Sequence, residues 1–388
     1  MAIEVSAMRA IVGKVITEDA VIDGGCVVFD ERNGKITAVG KKVPDGCDVT
    51  DVGDKYILPG LIDIHIHGYV GCDASDADAD GLKKISAALT ANGVTAWCPT
   101  TMTVDADMIR KALYVIGMMI GRDTGGAQIL GANVEGPFIN SLKKGAQDEK
   151  YVLPPDADFI LNNRDKIKLV TVAPEVDGGM EFVKKVSRES GVTVSIGHSA
   201  ADFQTAESAF ECGASHVTHL FNAMTAFSHR APGIVGAALE DDGVSCELIA
   251  DCYHVNPCLF KMLCRTKGKK LVLITDCMRA GGMADGEYTL GGQAVTVHGN
   301  SCLLSDGTIA GSVLTLNRAV KNLHEHGGIS LREAVNAASI APARAIREDS
   351  LRGSLSVGKR ADIVIADEDM NIFKTFVSGG EIYKSEVR

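Results

Sequence analysis

The 388-residue chain has no C-x-x-C pair, no long block of lysine or arginine, and no apolar run long enough to cross a bilayer. Each absence excludes something. Its 11 cysteines, an odd number, lack the paired spacing of a disulfide scaffold or a thiolate zinc site and read as reduced thiols of a cytoplasmic protein. Cys98 and Cys246 lie within apolar runs and are expected to be small buried hydrophobes, not reactive groups. Formal charge is −11, from 39 basic and 50 acidic residues, which argues against nucleic acid as a partner because a phosphate backbone demands clustered cations. A small phosphorylated ligand needs only one or two. The opening MAIEVSAMRAIVGKVITEDA carries no signal-peptide pattern, since Glu4, Arg9, Lys14 and Glu18 interrupt its apolar stretches. No membrane association is expected, and no solenoid repeat or low-complexity linker is visible.

What is present is an alternation of short apolar runs with amphipathic stretches. The runs are LIDIHIHG (61–68), VTAWCPTT (94–101), ILGANVEGPF (129–138), KLVTVAPE (168–175), VTVSIGHS (192–199), SHVTHLFNAM (215–224), CELIADCYHV (246–255) and KLVLITDCM (270–278). Segments such as ADGLKKISAALTANG and GMEFVKKVSRESG between them have apolar residues at helical spacing. Eight βα units predict an α/β fold, a (β/α)8 TIM barrel over residues 58–349. Residues 1–57 and 350–388 instead show alternating Val and Ile with Asp-Gly-Gly and Asn-Gly turn signals, and are expected to form one small β-sandwich domain from both chain ends.

The informative feature is where the polar residues fall. His65 and His67 alternate with isoleucines, so in a strand they project from one face. Alone this pair means little, because chance supplies one in about four chains of this histidine content. Yet Glu135, His198, His219, Asp251 with His254, and Asp276 also stand at the ends of strand-like runs, where barrel enzymes assemble their chemistry. A turn residue for Glu135, or a satisfied core histidine for His198 or His219, is a fair reading of each taken singly. Their shared placement favours a metal centre of imidazole and carboxylate ligands, suited to Zn²⁺ first and otherwise to Fe²⁺, Mn²⁺ or Co²⁺, with room for one or two ions.

GLIDIHIHG, NVEGPF, GHS, THLFNAM, ADCYH, TDCM and the closing GSLSVGKRADIVIAD together resemble the amidohydrolase superfamily, and within it the N-acetylglucosamine-6-phosphate deacetylase family. The resemblance implies that Glu135, His198 and His219 bind the main catalytic metal, that His65 and His67 hold a second ion bridged by Glu135, and that Asp276 is the general acid/base. It further implies substrate contacts at Ala146, Gln147, Asn222, Ala223, His254 and the loop Ile309, Ala310, Gly311. Arg230 of SHRAPG is expected to reach the phosphate in a neighbouring subunit's site, which calls for a homodimer. The carboxylated lysine of some relatives belongs on the fourth strand, and the tip of KLVTVAPE does not supply one; dihydroorotase and hydantoinase readings are disfavoured accordingly.

One departure stands out: many members carry a histidine where this chain has Gln147, a weaker stabiliser of developing oxyanion charge. The expected reaction is removal of the N-acetyl group of an amino sugar phosphate. The galactosamine epimer is an alternative substrate, and a non-catalytic assembly protein is disfavoured because the ligand set is complete.

Overall fold

The computed structural model describes residues 7–386. Eight parallel strands succeed one another in chain order around a barrel: Leu61–Ile66, Val94–Thr101, Ala132–Glu135, Ile167–Val172, Thr193–Ile196, His216–Val217, Ser245–Ile249 and Leu271–Ile274. Helices cover the outside, so both faces of each strand are buried and the sequence reads as a continuous apolar run; every residue of Val94–Thr101 is buried. Asp78, Asp105, Asp156 and Asp202 precede the helices Ala79–Leu89, Ala106–Met119, Ala157–Asn162 and Phe203–Glu211. Each accepts a backbone N–H of the first turn through its carboxylate, a cap of about 1 kcal/mol.

The barrel interior is polar beneath its mouth. Thr171 on the fourth strand meets Thr218, beyond the sixth, at 2.9 Å, and Ser195 on the fifth meets both Thr218 (2.6 Å) and His216 Nδ1 (3.0 Å). Contacts that skip a strand place these groups inside the ring. Asn133 Nδ2 donates to the Ile64 carbonyl at 3.0 Å. The ring closes between the first and eighth strands, where the Asp276 N–H donates to the His65 carbonyl and the His67 N–H to the Cys277 carbonyl, both at 2.9 Å. Below this seam Asp63, fully buried, accepts the Thr275 hydroxyl at 2.6 Å and the His65 N–H at 3.2 Å.

Both chain ends enter one seven-stranded sheet. Met8–Ile16, Val21–Asp30, Lys35–Gly40 and Asp48–Pro59 come from the N-terminal side; Ile363–Ala366, Ile372–Val377 and Gly380–Lys384 come from the C-terminal side. Three strands separate those of Phe29 and Phe376, yet their rings lie 6.0 Å apart. A flat sheet would hold them about 19 Å apart. The sheet therefore rolls onto itself around Ile11, Val27, Phe29, Ile57, Ile363 and Phe376, giving the layered form expected of the joined ends.

A three-stranded antiparallel sheet, Gly286–Leu290, Gln293–His298 and Ser301–Leu303, follows the eighth barrel strand and was not anticipated from the sequence. Leu290, Val295 and Val297 pack it against Met102 and Met278 at the barrel mouth.

The seam supplies a test of what holds the ring shut. Asp63→Ala strands a hydroxyl and a backbone N–H in a dry interior, and is expected to lower unfolding free energy by about 2–4 kcal/mol in denaturant titration. Adding Thr275→Val removes one stranded partner, so the double variant should lose less than the sum of the two single changes. Strict additivity would show that the contact does not couple the strands.

Candidate active site

Strand ends carry the site. Glu135, the last residue of the third strand, lies among four imidazoles: His65 Nε2 (3.3 Å), His198 Nε2 (3.1 Å) and His219 Nε2 (2.9 Å) face its Oε1, and His67 Nε2 (3.2 Å) faces its Oε2. Two ligand trios share this carboxylate, His65–His67–Glu135 and Glu135–His198–His219, and the ligand atoms of each lie within 4.8 Å of one another. Asp276 joins from the eighth strand's end, its Oδ1 3.1 Å from His67 Nε2 and 3.5 Å from His65 Nε2.

The opposite nitrogens of two of the rings show what the centre requires. His67 Nδ1 lies 3.1 Å from the Thr100 carbonyl and His198 Nδ1 lies 2.9 Å from the Lys143 carbonyl. A carbonyl only accepts, so both rings carry a proton on Nδ1 and direct Nε2 toward Glu135, where it can hold a second proton or a cation. His198 and His219 bring two Nε2 atoms within 3.1 Å of each other. Lone pairs aimed at lone pairs and at a carboxylate repel unless positive charge lies between them. The donor set, four imidazoles and carboxylates without thiolate, fits a divalent cation.

The protonation energetics agree. Burial disfavours the His67 cation, yet contacts with Asp276 and Glu135 outweigh it and lift the ring to about 10. Burial is likewise outweighed at Glu135, where the His65 and His198 rings hold the carboxyl well below its ordinary range, and at Asp276, which His67 and His65 depress. The site thus attracts positive charge strongly, whether as protons or as a cation.

The backbone is strained to aim these groups. His198 (φ 48°), His219 (φ 27°) and Asp276 (φ 50°) all adopt positive φ, a conformation costing about 1–3 kcal/mol for such residues and typical of functional sites. Gly311 tucks under Asp276: a Cβ there would stand 3.1 Å from the Asp276 carbonyl oxygen.

A cavity of about 260 Å³ opens above this floor, lined by His67, Glu135, His198, His219 and Asp276 and, on its walls, by Ala146, Gln147, Asn222, Ala223, His254, Ile309 and Gly311. The substrate-contact residues expected from the sequence are brought together with two exceptions. Ala310 is buried in the apolar cluster beneath the wall. Arg230 is exposed and does not line the cavity. His254 is oriented by Asp251, whose Oδ2 lies 2.6 Å from its Nδ1. Gln147 is fully engaged: its Oε1 accepts the Thr103 N–H at 2.7 Å, and its Nε2 donates to Glu135 Oε2 at 2.7 Å with Met102 Sδ at 3.8 Å. Its amide braces the shared carboxylate.

The amidohydrolase family model matches residues 56–382. The chain belongs to the amidohydrolase family. It is 38% identical to the N-acetylglucosamine-6-phosphate deacetylase of Bacillus subtilis, over 96% of each chain. It is 36% identical to an N-acetylgalactosamine-6-phosphate deacetylase of Escherichia coli, over 94% of this chain and 97% of that one. Among solved structures it superposes with TM-score 0.91 at 29% identity on a mutant N-acetyl-D-glucosamine-6-phosphate deacetylase of Mycobacterium smegmatis in complex with N-acetyl-D-glucosamine-6-phosphate, covering 97% of this chain and 100% of that one.

Sequence reasoning passed over parts of this amidohydrolase site. Met102, Leu290 and Thr308 line the cavity but come from a strand end and from the inserted sheet and its trailing loop, whose positions only folding reveals. Glu247 was also missed, although its signal was available: a lone carboxylate in the middle of the apolar run CELIA.

If the two trios are separate metal sites of this amidohydrolase, replacing His65 and His67 by Asn should empty one and leave the other. Metal content of the isolated protein is then expected to fall relative to the parent while the Glu135–His198–His219 trio keeps its ion. Adding Gln147→His places an imidazole beside Glu135 Oε2 and should recover part of the lost affinity. Identical metal content in parent and double variant would exclude the His65–His67–Glu135 trio as a site.

Proposed function

We propose that this chain, through its barrel residues 58–349, hydrolyses the acetamide of N-acetylglucosamine 6-phosphate to glucosamine 6-phosphate and acetate. The observation that carries the reading is the meeting of His67, Glu135, His198, His219 and Asp276 at the floor of one cavity with His65 packed directly behind Glu135 and Asp276, in a chain whose near-full-length relatives bear that name. A divalent cation bound there, Zn²⁺ by first preference and Fe²⁺, Mn²⁺ or Co²⁺ as alternatives, supplies Lewis acidity and a more acidic water at neutral pH, with one or two ions per chain. His198, His219 and Glu135 would hold one, and His65, His67 and Glu135 the other.

The remaining chemistry belongs to the protein's own groups. Asp276, whose carboxyl is drawn below its ordinary range by the neighbouring His67 and His65, accepts a proton from the attacking water as the new C–O bond forms. It returns that proton to the amide nitrogen as the C–N bond breaks, because a free amide anion does not leave. His254, fixed by Asp251, and Asn222 with Ala223 bound the sugar's side of the cavity, and the loop 309–311 closes the other side. Arg230 on its exposed loop serves the phosphate in a second subunit's cavity, its planar fork matching two phosphate oxygens, so the active form is a homodimer in the cytoplasm.

A second substrate reading rests on a specific observation, the 36% identity to an N-acetylgalactosamine-6-phosphate deacetylase. The two sugars differ at one hydroxyl. Acetate release from both 6-phosphates, and from their unphosphorylated counterparts, separates the readings; release from none of them would end the deacetylase proposal.

Asp276→Asn is expected to retain metal and fold while losing turnover by at least a hundredfold, since the amide neither takes nor returns a proton. Activity within tenfold of the parent would assign the proton transfer to another group.

Arg230→Ala should raise KM for the 6-phosphate sugar more than it lowers kcat, the contact being remote from the amide. Unphosphorylated N-acetyl sugars should be nearly indifferent to the change. Equal effects on both substrates, or a fully active monomer by sedimentation, would remove Arg230 from the phosphate.

A further inference from the structure

Behind the metal-ligand floor lies a carboxylate that no step above uses. Glu247 sits on the seventh strand, which contributes no ligand, and is fully buried. Its Oε2 lies 2.9 Å from His65 Nδ1 and accepts the backbone N–H of His219 at 2.9 Å. Its Oε1 faces His216 Nε2 at 3.8 Å, beyond hydrogen-bond reach. His65 belongs to one trio and His219 to the other. Glu247 therefore touches both trios from the rear, as Glu135 does from the front.

We propose that Glu247 is a positioning residue that couples the two trios and sets their affinity for divalent cations. This rests on reading the trios as metal sites. Three physical arguments support it. First, a carboxylate at the back of an imidazole fixes the proton on Nδ1, points the Nε2 lone pair forward and makes the ring a stronger donor. Second, His219 is held at positive φ, and the carboxylate that takes its N–H helps hold this unfavourable backbone in place.

Third, the buried charges need balancing. Glu135, Glu247 and Asp276 are three carboxylates at or below 8% exposure gathered around the one His65 ring. Buried carboxylates without counter-charge are costly. Cations in front of the rings balance Glu247 through His65, so the carboxylate and the ions stabilise one another. The plainer alternative is that Glu247 merely fills the barrel's polar interior, as Thr171 and Thr218 do.

The test uses chelator-stripped full-length protein and Co²⁺ as the probe, read by its visible absorption bands and by competition with a chromophoric chelator. Four proteins are compared: the parent, Glu247→Gln, Glu247→Asp and the control Thr171→Val, which breaks a buried hydroxyl–hydroxyl bond in the same interior that no ligand side chain shares. Glu247→Gln is expected to weaken Co²⁺ binding by about 10–100-fold and to alter the absorption bands, while the melting temperature of the stripped protein stays within a few degrees. Thr171→Val should bind as the parent does. Glu247→Asp keeps the charge but shortens its reach, is expected to move in the same direction, and decides the matter if the Gln variant does not fold. Parent-like affinity and bands in the Glu247 variants, or an equal loss in Thr171→Val, would overturn the positioning role. A parent that fails to bind Co²⁺ would instead overturn the metal reading itself.

Discussion

One carboxylate sets the terms for the rest of this molecule. Glu135 meets four imidazole nitrogens at 2.9–3.3 Å, and two of those rings, tethered to carbonyls at Nδ1, turn Nε2 toward it. Such an arrangement needs positive charge, as protons or as a cation, between its nitrogens and oxygens, and the chain must hold the groups close enough to share it. A closed ring of parallel strands can do this, because each ligand is the end of a strand whose position is fixed by two neighbours. The caps, the apolar shell between strands and helices, and the seam at Asp63 and Thr275 all serve to keep the strand ends in register.

The cost shows in the backbone and the interior. Positive φ at His198, His219 and Asp276, and hydroxyls, Asn133 and Glu247 where a barrel usually packs Val and Leu, are local departures from the most stable arrangement. They cluster at the mouth and in the layer below it. The rolled end-to-end sheet and the helical shell supply the apolar burial that offsets the strain.

Gln147 illustrates how the site distributes its tasks. Read as a residue in a motif, it looked like a weak substitute for an oxyanion-stabilising histidine. In the fold its amide is held by Thr103 and braces Glu135. His67 and Gln147 meet the same Glu135 oxygen, Oε2, while His65 faces the other.

The sequence by itself determined the eight-stranded barrel, the joining of the chain ends and the identity of the floor residues. Strand and helix periodicities are local properties, and a histidine or carboxylate ending a Val-Ile-Leu run stands out against it. Family resemblance then assigned roles that spacing alone left open. Tertiary structure alone decided which groups meet. Glu247 and His65 are 182 residues apart in the chain, and no local pattern marks that the seventh strand's interior face lies behind the first strand's ligand. The inserted sheet at 286–303 reaches the mouth, Ala310 turns into the core while its neighbours Ile309 and Gly311 line the cavity, and Arg230 stays outside. These outcomes depend on how loops of irregular length pack once the ring has closed, which is a property of three-dimensional contact and not of sequence spacing.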